Sequence, residues 1–414
     1  MNTEELIGML PAMQPDAELM KSLEYLPPYS EELRGGSTTE RLMALSDIYN
    51  IYIPSLMSYE VYSKLYLSLL RSMQKKCSQL AVLQRYENNA AIVGKEYRGI
   101  IGGADSFTII GCSGIGKSSA ISRAVSLITN NAVIKTSRTC SAIIPCLTVQ
   151  CPFDSSVKGL LLEILRKTDE MLGSAYYASA IKSRGATTDM LIGSVSTVAL
   201  NHIGMLIVDE IQNVVNSKNG KSLVGILTQL INNSGISICM VGTPECIPFF
   251  EQAMQLARRS VGLTCSRLEF DGEFERMCRI LFRYQYVKKP TELTPTIINW
   301  LYEHSAGVIS VLISLLHDAQ EIAILNGTEK LDIPSLSEAY RQRLAFLHDF
   351  IEPSIKKRSQ TAKVKKRDTT EIMPSPLPIK DENSICEAVK KAKAEGKSIV
   401  AALKENIHIE EIDL

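Results

Sequence analysis

No apolar run in the 414-residue chain approaches the roughly 18 residues that a membrane-crossing helix needs, so a spanning helix and a membrane partner are not expected. Net charge is lacking too. Lys and Arg number 45 and Asp and Glu 45, so any nucleic-acid surface is local rather than global. The ten cysteines form no C-x-x-C pair and meet no histidines at zinc spacing, which leaves neither a metal finger nor a disulfide framework. Reduced thiols fit a cytoplasm. The first residues, Met1-Asn-Thr-Glu-Glu-Leu-Ile7, lack the basic start of an export signal, and the expectation is a soluble cytoplasmic protein.

What is present is organised around Phe107-Thr-Ile-Ile-Gly-Cys-Ser-Gly-Ile-Gly-Lys-Ser-Ser119, an apolar run that breaks into a glycine-rich turn and then a helical pattern. The spacing Gly111, four residues, Gly116-Lys117-Ser118 matches the phosphate-binding P-loop, with strand before and helix after. Gly111, Gly114 and Gly116 permit a backbone that turns N–H groups toward phosphate oxygens, and Cys112, Ser113, Ile115 and Ser119 contribute backbone to the same cradle. The helix from Lys117 aims its positive end at the anion. Lys117 reaches the β- and γ-phosphates, and the Ser118 hydroxyl is a ligand for Mg²⁺.

A second informative stretch is Met205-Leu-Ile-Val-Asp-Glu210, four apolar residues closed by two carboxylates. Such a run suits a central strand buried on both faces. Asp209 would hold Mg²⁺, and Glu210 would position or deprotonate the attacking water. Ile236 to Gly242 reads as another buried strand. Thr243 after it is placed to sense the γ-phosphate side, or else is a turn-forming residue before Pro244. Arg258 and Arg259 are either solvated side chains or arginine fingers supplied to a neighbouring subunit. Together these predict an α/β fold of P-loop type with a central parallel sheet flanked by helices, binding ATP and Mg²⁺.

Around this core the chain divides by composition. Residues 1–53 form an N-terminal arm rich in Pro, Met and Glu, read as binding a partner or as a strap on its own domain. Residues 54–271 form the nucleotide-binding domain, opening with a helical pattern from Pro54 to about Arg85 and closing with an expected last strand at Arg267 to Asp271. Residues 272–350 predict an all-helical lid, with helices from Glu273, Pro295, Val308 and Pro334. Residues 351–384 carry a dense basic run in a disordered linker, and 385–414 regain helical periodicity as a short docking helix.

As a set, Gly111-Cys-Ser-Gly-Ile-Gly-Lys-Ser118, Ile207-Val-Asp-Glu-Ile-Gln-Asn213, Val241-Gly-Thr-Pro-Glu245, Ala257-Arg-Arg-Ser260 and Gly307-Val-Ile-Ser-Val in the lid resemble the AAA+ ATPases, and within them TnsC and its relative TniB. The resemblance spans about residues 20 to 350. It implies an ATP-dependent regulator of Tns-type bacterial transposons, an ATPase that acts as a switch. Such proteins assemble as rings or filaments, of about six or seven subunits per turn, on double-stranded target DNA. They connect a target-selection protein to the transposase subunits.

The resemblance also implies that Lys135, Arg138, Lys158, Lys182 and Arg184 lie in or near segments facing DNA, where backbone contact would be tolerant of sequence and sensitive to salt. A replication-initiator or helicase-loader type of AAA+ protein is the alternative. One departure stands out: many AAA+ lids place an arginine after the glycine that starts a lid helix, and here Val308, Ile309 and Ser310 follow Gly307. That departure implies slow turnover.

Overall fold

The computed structural model describes residues 7–93, 95–96, 98–103, 105–135, 142–182, 187–215, 220–252 and 262–344. The basic linker and the docking helix expected beyond residue 350 lie outside the described residues, as do Arg138, Arg184, Arg258 and Arg259.

Six strands make one sheet: β1 (Phe107–Gly111), β2 (Ile134–Lys135), β3 (Ala142–Gln150), β4 (Ile203–Asp209), β5 (Ser237–Gly242) and β6 (Leu263–Cys265). Their order across the sheet is β2-β3-β4-β5-β1-β6. The five strands from β3 to β6 are parallel, while β2 pairs antiparallel with the start of β3. The sheet is therefore mixed rather than wholly parallel. Residues 136–141 join it to β3, fewer than the dozen or so that a parallel crossover needs, so an antiparallel pairing is the one open to it.

Both faces of the sheet are covered, which is why β4 and β5 read as unbroken apolar runs. Alternate residues point to opposite sides. Met205, Ile207, Cys239 and Val241 enter a core with α3 (Leu56–Lys76) and α5 (Lys117–Thr129). Leu206, Val208, Ile238 and Met240 enter the other, with α6 (Val157–Leu172), α8 (Thr188–His202) and α9 (Gly220–Ser234). The helical pattern after Pro54 is two helices, not one. α3 stops at Lys76, and Ser78 starts α4 (Gln79–Ile92). The buried Lys76 Nζ donates to the carbonyls of Ala199 (2.6 Å) and Leu200 (2.8 Å), so its charge closes the end of α8.

The last strand is β6, not the expected Arg267–Asp271. Leu263–Cys265 pair in parallel with Ile109–Gly111. The alternating residues beyond it have another use: Asp271 accepts from the backbone N–H groups of Glu273 and Phe274 as the N-cap of α11 (Gly272–Leu281).

The helical lid follows, with α11, α12 (Pro295–Ser305), α13 (Ile309–Leu325), α14 (Ile333–Ala339) and a π-helical turn at Tyr340–Leu344. Its core is completed from the far end of the chain. Leu45, Ile48, Ile51 and Ile53 are buried among Phe274, Leu281, Tyr286, Leu312, Leu316 and Leu336. Arg41, 1% exposed, makes two 2.7 Å bonds to the Glu329 carboxylate and a third, of 3.1 Å, to the Tyr286 carbonyl. Upstream, α1 (Asp16–Leu23) buries Leu19 and Leu23 against α3. Among its described residues, the N-terminal segment is thus a strap on its own chain. No single described helix is long and apolar enough to cross a membrane.

Candidate nucleotide site

At the end of β1 the chain turns through Gly114 (φ 80°) and Gly116 (φ 93°), and α5 begins at Lys117. These left-handed positions favour glycine. Space adds a second reason at Gly114, where an added Cβ would stand 2.2 Å from Ser310 Oγ of the lid. The lid also bonds to the loop directly: Ser310 N donates to Gly114 O at 2.9 Å.

Lys117 Nζ folds back onto the loop, donating to the carbonyls of Gly111 (2.7 Å) and Cys112 (2.8 Å). Burial lowers its pKa, against the raising influence of Cys265, Asp209, Cys112 and Glu210. A desolvated ammonium held only by carbonyl oxygens is suited to a multivalent anion.

Ser118 Oγ donates to Asp209 Oδ2 at 3.0 Å. Between the two strands that bear this constellation lies β5, whose end supplies Gly242 and Thr243. Glu210 N donates to Asp209 Oδ1 at 2.8 Å, and Gln212 Nε2 donates to Glu210 Oε2. Thr243 Oγ1 donates to Glu245 Oε2 at 3.2 Å. A cavity of about 280 Å³ is lined by Ser113, Gly114, Gly116, Lys117, Ser118, Ser119, Asp209, Glu210, Gln212, Gly242 and Thr243, with Ile309, Ser310 and Ile313 from the lid. Among the described residues, no arginine lines it.

An apolar recess of about 90 Å³ adjoins it, sharing Gly116, Ser119, Ile309 and Ile313. Tyr49, Ile51, Tyr52, Ile53 and Met57 supply much of its wall. Tyr52 is fixed from several sides: its backbone bridges to Tyr25, its hydroxyl meets Ser58 Oγ at 2.8 Å, and the Arg123 guanidinium of α5 lies over its ring. Burial raises its phenol pKa in spite of those two neighbours. The two cavities thus share four residues, one bordered by the P-loop and carboxylates and the other by aromatic and aliphatic side chains.

Of the site residues read from the sequence, Ser113, Gly114, Gly116, Lys117, Ser118, Ser119, Asp209, Glu210 and Thr243 line the cavity, Gly111 and Cys112 hold Lys117 through their carbonyls, and Ile115 is buried in the core. Sequence reasoning missed Gln212, Ser310 and the wall of the recess. Gln212 and Ser310 lie inside the quoted motifs, whereas the recess has no local signal. Of the basic residues, Lys135, Lys158 and Lys182 are exposed. Lys135 pairs with Ala142 at the start of β3, while Lys158 opens the helix beyond its end, so a strand of roughly 25 Å separates them. A larger open groove of about 1270 Å³ runs past Glu87, Arg98, Asp189 and Asn232 and holds no P-loop residue, so the chemistry assigns the site to the smaller cavity.

Residues 100–250 match the family described as AAA domain. That stretch carries the P-loop, Asp209, Glu210 and Thr243. This is an AAA+ P-loop fold. The strap and the lid of the AAA+ fold here lie outside the matched residues. No curated protein matches the chain in sequence. Among solved structures it is similar to the Aeropyrum pernix ORC1 protein in complex with DNA, at 13% identity over 81% of this chain and 80% of that one, TM-score 0.43. It is also similar to Drosophila ORC bound to DNA, at 12% identity over 97% and 83%, TM-score 0.43. A third is domain III of the Thermotoga maritima replication initiation protein DnaA, at 14% identity over 67% and 94%, TM-score 0.35.

Proposed function

We propose that this chain is an ATP-hydrolysing switch that assembles on double-stranded DNA and regulates transposition, linking a target-selection protein to the transposase. The observation that carries the ATPase reading is the Ser118–Asp209 bond with Glu210 beside it, at the mouth of a cavity walled by the P-loop and the lid.

The residues present fit ATP and Mg²⁺. A hydroxyl and a carboxylate oxygen face one another as hard-cation ligands do, and a side chain at Gly114 would fill the cradle. When bound, Mg²⁺ supplies charge neutralisation between the β- and γ-phosphates. The chain does the rest. Lys117 would exchange the loop carbonyls for phosphate oxygens, Ser118 and Asp209 would hold the ion, and Glu210 would accept a proton from the attacking water. Thr243 would offer its hydroxyl to the γ side, and the recess at Tyr52 and Met57 is the proposed place for the base. Among the described residues no lining side chain is an arginine; Arg258 or Arg259 of a neighbouring subunit is the proposed source of one. Turnover is slow until that neighbour arrives, and a rate of many ATP per second for the isolated subunit would contradict this.

The transposition reading rests on the motif set shared with TnsC, including the Asp209-Glu-Ile-Gln-Asn213 run and Gly307 with the residues after it. Lys135, Lys158 and Lys182, with Arg138 and Arg184, are the proposed DNA contacts. The test is electron microscopy of the protein with ATP or a non-hydrolysable analogue, with and without duplex DNA. Nucleotide-dependent rings or filaments on the duplex are expected. Their absence, with ATP binding intact, sinks the assembly reading and leaves the ATPase.

A further inference from the structure

Glu210 has a left-handed backbone, φ 57° and ψ 36°, and the turn Ile211–Val214 folds the chain back beside its carboxylate. Within that turn Gln212 faces two ways. Its Nε2 donates to Glu210 Oε2. Its Oε1 is buried without a partner and lies at Gly242, 3.1 Å from where an added Cβ would stand. The reverse amide orientation would set two oxygens against each other, so the carboxylate fixes which end carries the free acceptor.

The turn is braced from behind. Asn213 Nδ2 donates to Cys151 O at 2.9 Å, and Asn213 O accepts from Ser155 Oγ at 3.0 Å. Both Gln212 and Gly242 line the cavity. With Nε2 on the carboxylate and Oε1 enclosed, the amide acts on the chamber through Glu210.

We infer that Gln212 is the positioning residue of hydrolysis, an inference that rests on the ATPase reading. Its amide N–H holds the Glu210 carboxylate at the cavity wall, and because Oε1 is enclosed beside Gly242 its influence on the attacking water runs through Glu210. The water oxygen forms the new bond to the γ-phosphorus, and the bond from that phosphorus to the bridging β-phosphate oxygen breaks with ADP leaving. One water proton passes to Glu210, and the other stays on the product phosphate. A Cβ at Gly242 would stand 2.7 Å from Ile211 Cγ2 and 3.1 Å from Gln212 Oε1, so a side chain at the end of β5 would crowd the turn that carries Gln212.

The test uses the full chain and compares Gln212→Ala, Gln212→Asn and Gln212→Glu with the unmodified protein, by ATP turnover over a pH series and by the Kd for a fluorescent ATP analogue. Gln212→Ala is expected to lower kcat about 10-fold or more while Kd and KM change less than about 2-fold, a split that loss of fold does not give. Gln212→Asn recovers part of the rate. Gln212→Glu, which removes the N–H and sets a second carboxylate against Glu210, lowers kcat as Gln212→Ala does. Unchanged kcat in Gln212→Ala beside an active parent overturns the inference. So does a loss of nucleotide binding in Gln212→Ala, which makes Gln212 structural. An unmodified chain that binds ATP and never hydrolyses it overturns the ATPase reading itself, and the positioning role with it.

Discussion

Ser118 and Asp209 meet through a 3.0 Å hydrogen bond although 91 residues separate them and β5 lies between the strands that carry their loops. The contact joins the P-loop to the carboxylate strand across the end of a third strand, and Thr243, which follows that strand, lines the same cavity. Every prediction about this site depends on that arrangement.

Lys117 ties nucleotide binding to pH. Burial holds its ammonium below the ordinary 10.5. The charged form is the one that meets phosphate, so affinity is full at neutral pH and falls as pH rises through the lowered value. In the free protein the sign is opposite: the cost of burying the charge is present below that value, and stability is gained as pH rises from it to 10.5. Titration with a fluorescent ATP analogue from about pH 7 to about pH 10 checks the first part. Lys117→Arg removes the alkaline loss, and Lys117→Ala weakens binding at every pH.

Glu210→Gln keeps the shape of the side chain and removes the proton acceptor. Nucleotide affinity is expected to stay within about 2-fold, while kcat falls about 100-fold or more. Single-turnover hydrolysis beside equilibrium binding separates the two, and normal hydrolysis would assign water activation to another group.

Gly114→Ala puts a Cβ at φ 80° and 2.2 Å from Ser310 Oγ, in contact also with Val308 of the lid. The left-handed backbone alone costs an alanine about 1–2 kcal/mol. ATP affinity is expected to drop about 10-fold or more. Gly272→Ala, where an added Cβ meets nothing within 4 Å, is the matched control and leaves affinity unchanged.

Arg41→Ala leaves the Glu329 carboxylate without the bidentate partner that holds its pKa below the ordinary 4.5. Breaking a buried pair in this way costs about 3–5 kcal/mol. In the unmodified protein the contribution of Glu329 is present above the ordinary carboxylate value and lost as pH falls through the lowered one. Hydrogen exchange of residues 38–53 reads both effects: protection falls in Arg41→Ala, and the acid-dependent part of it disappears.

The P-loop, the Asp209-Glu210 pair and the strand before Thr243 were legible in the sequence because each is a local pattern, an unbroken apolar run that ends in residues with chemistry. The last strand was not. Leu263–Cys265 is three residues long and is a strand only because β1 offers it an edge, while the alternation at Arg267–Asp271 served to cap a helix. Gln212 stood in plain view inside a motif, but its role shows only when the Ile211–Val214 turn sets it between Glu210 and Gly242.

By itself, then, the sequence determined that this protein has a P-loop with its carboxylate partner on a buried strand, since glycine dihedrals and apolar runs act on neighbours along the chain. Tertiary structure alone decided that the recess beside the P-loop is walled by Tyr49, Ile51, Tyr52, Ile53 and Met57, and that the strap completes the core of the lid. Ile51 and Ile53 are buried by partners from Phe274 to Leu336, more than two hundred residues further along the chain. Burial against so distant a segment leaves no trace in local periodicity.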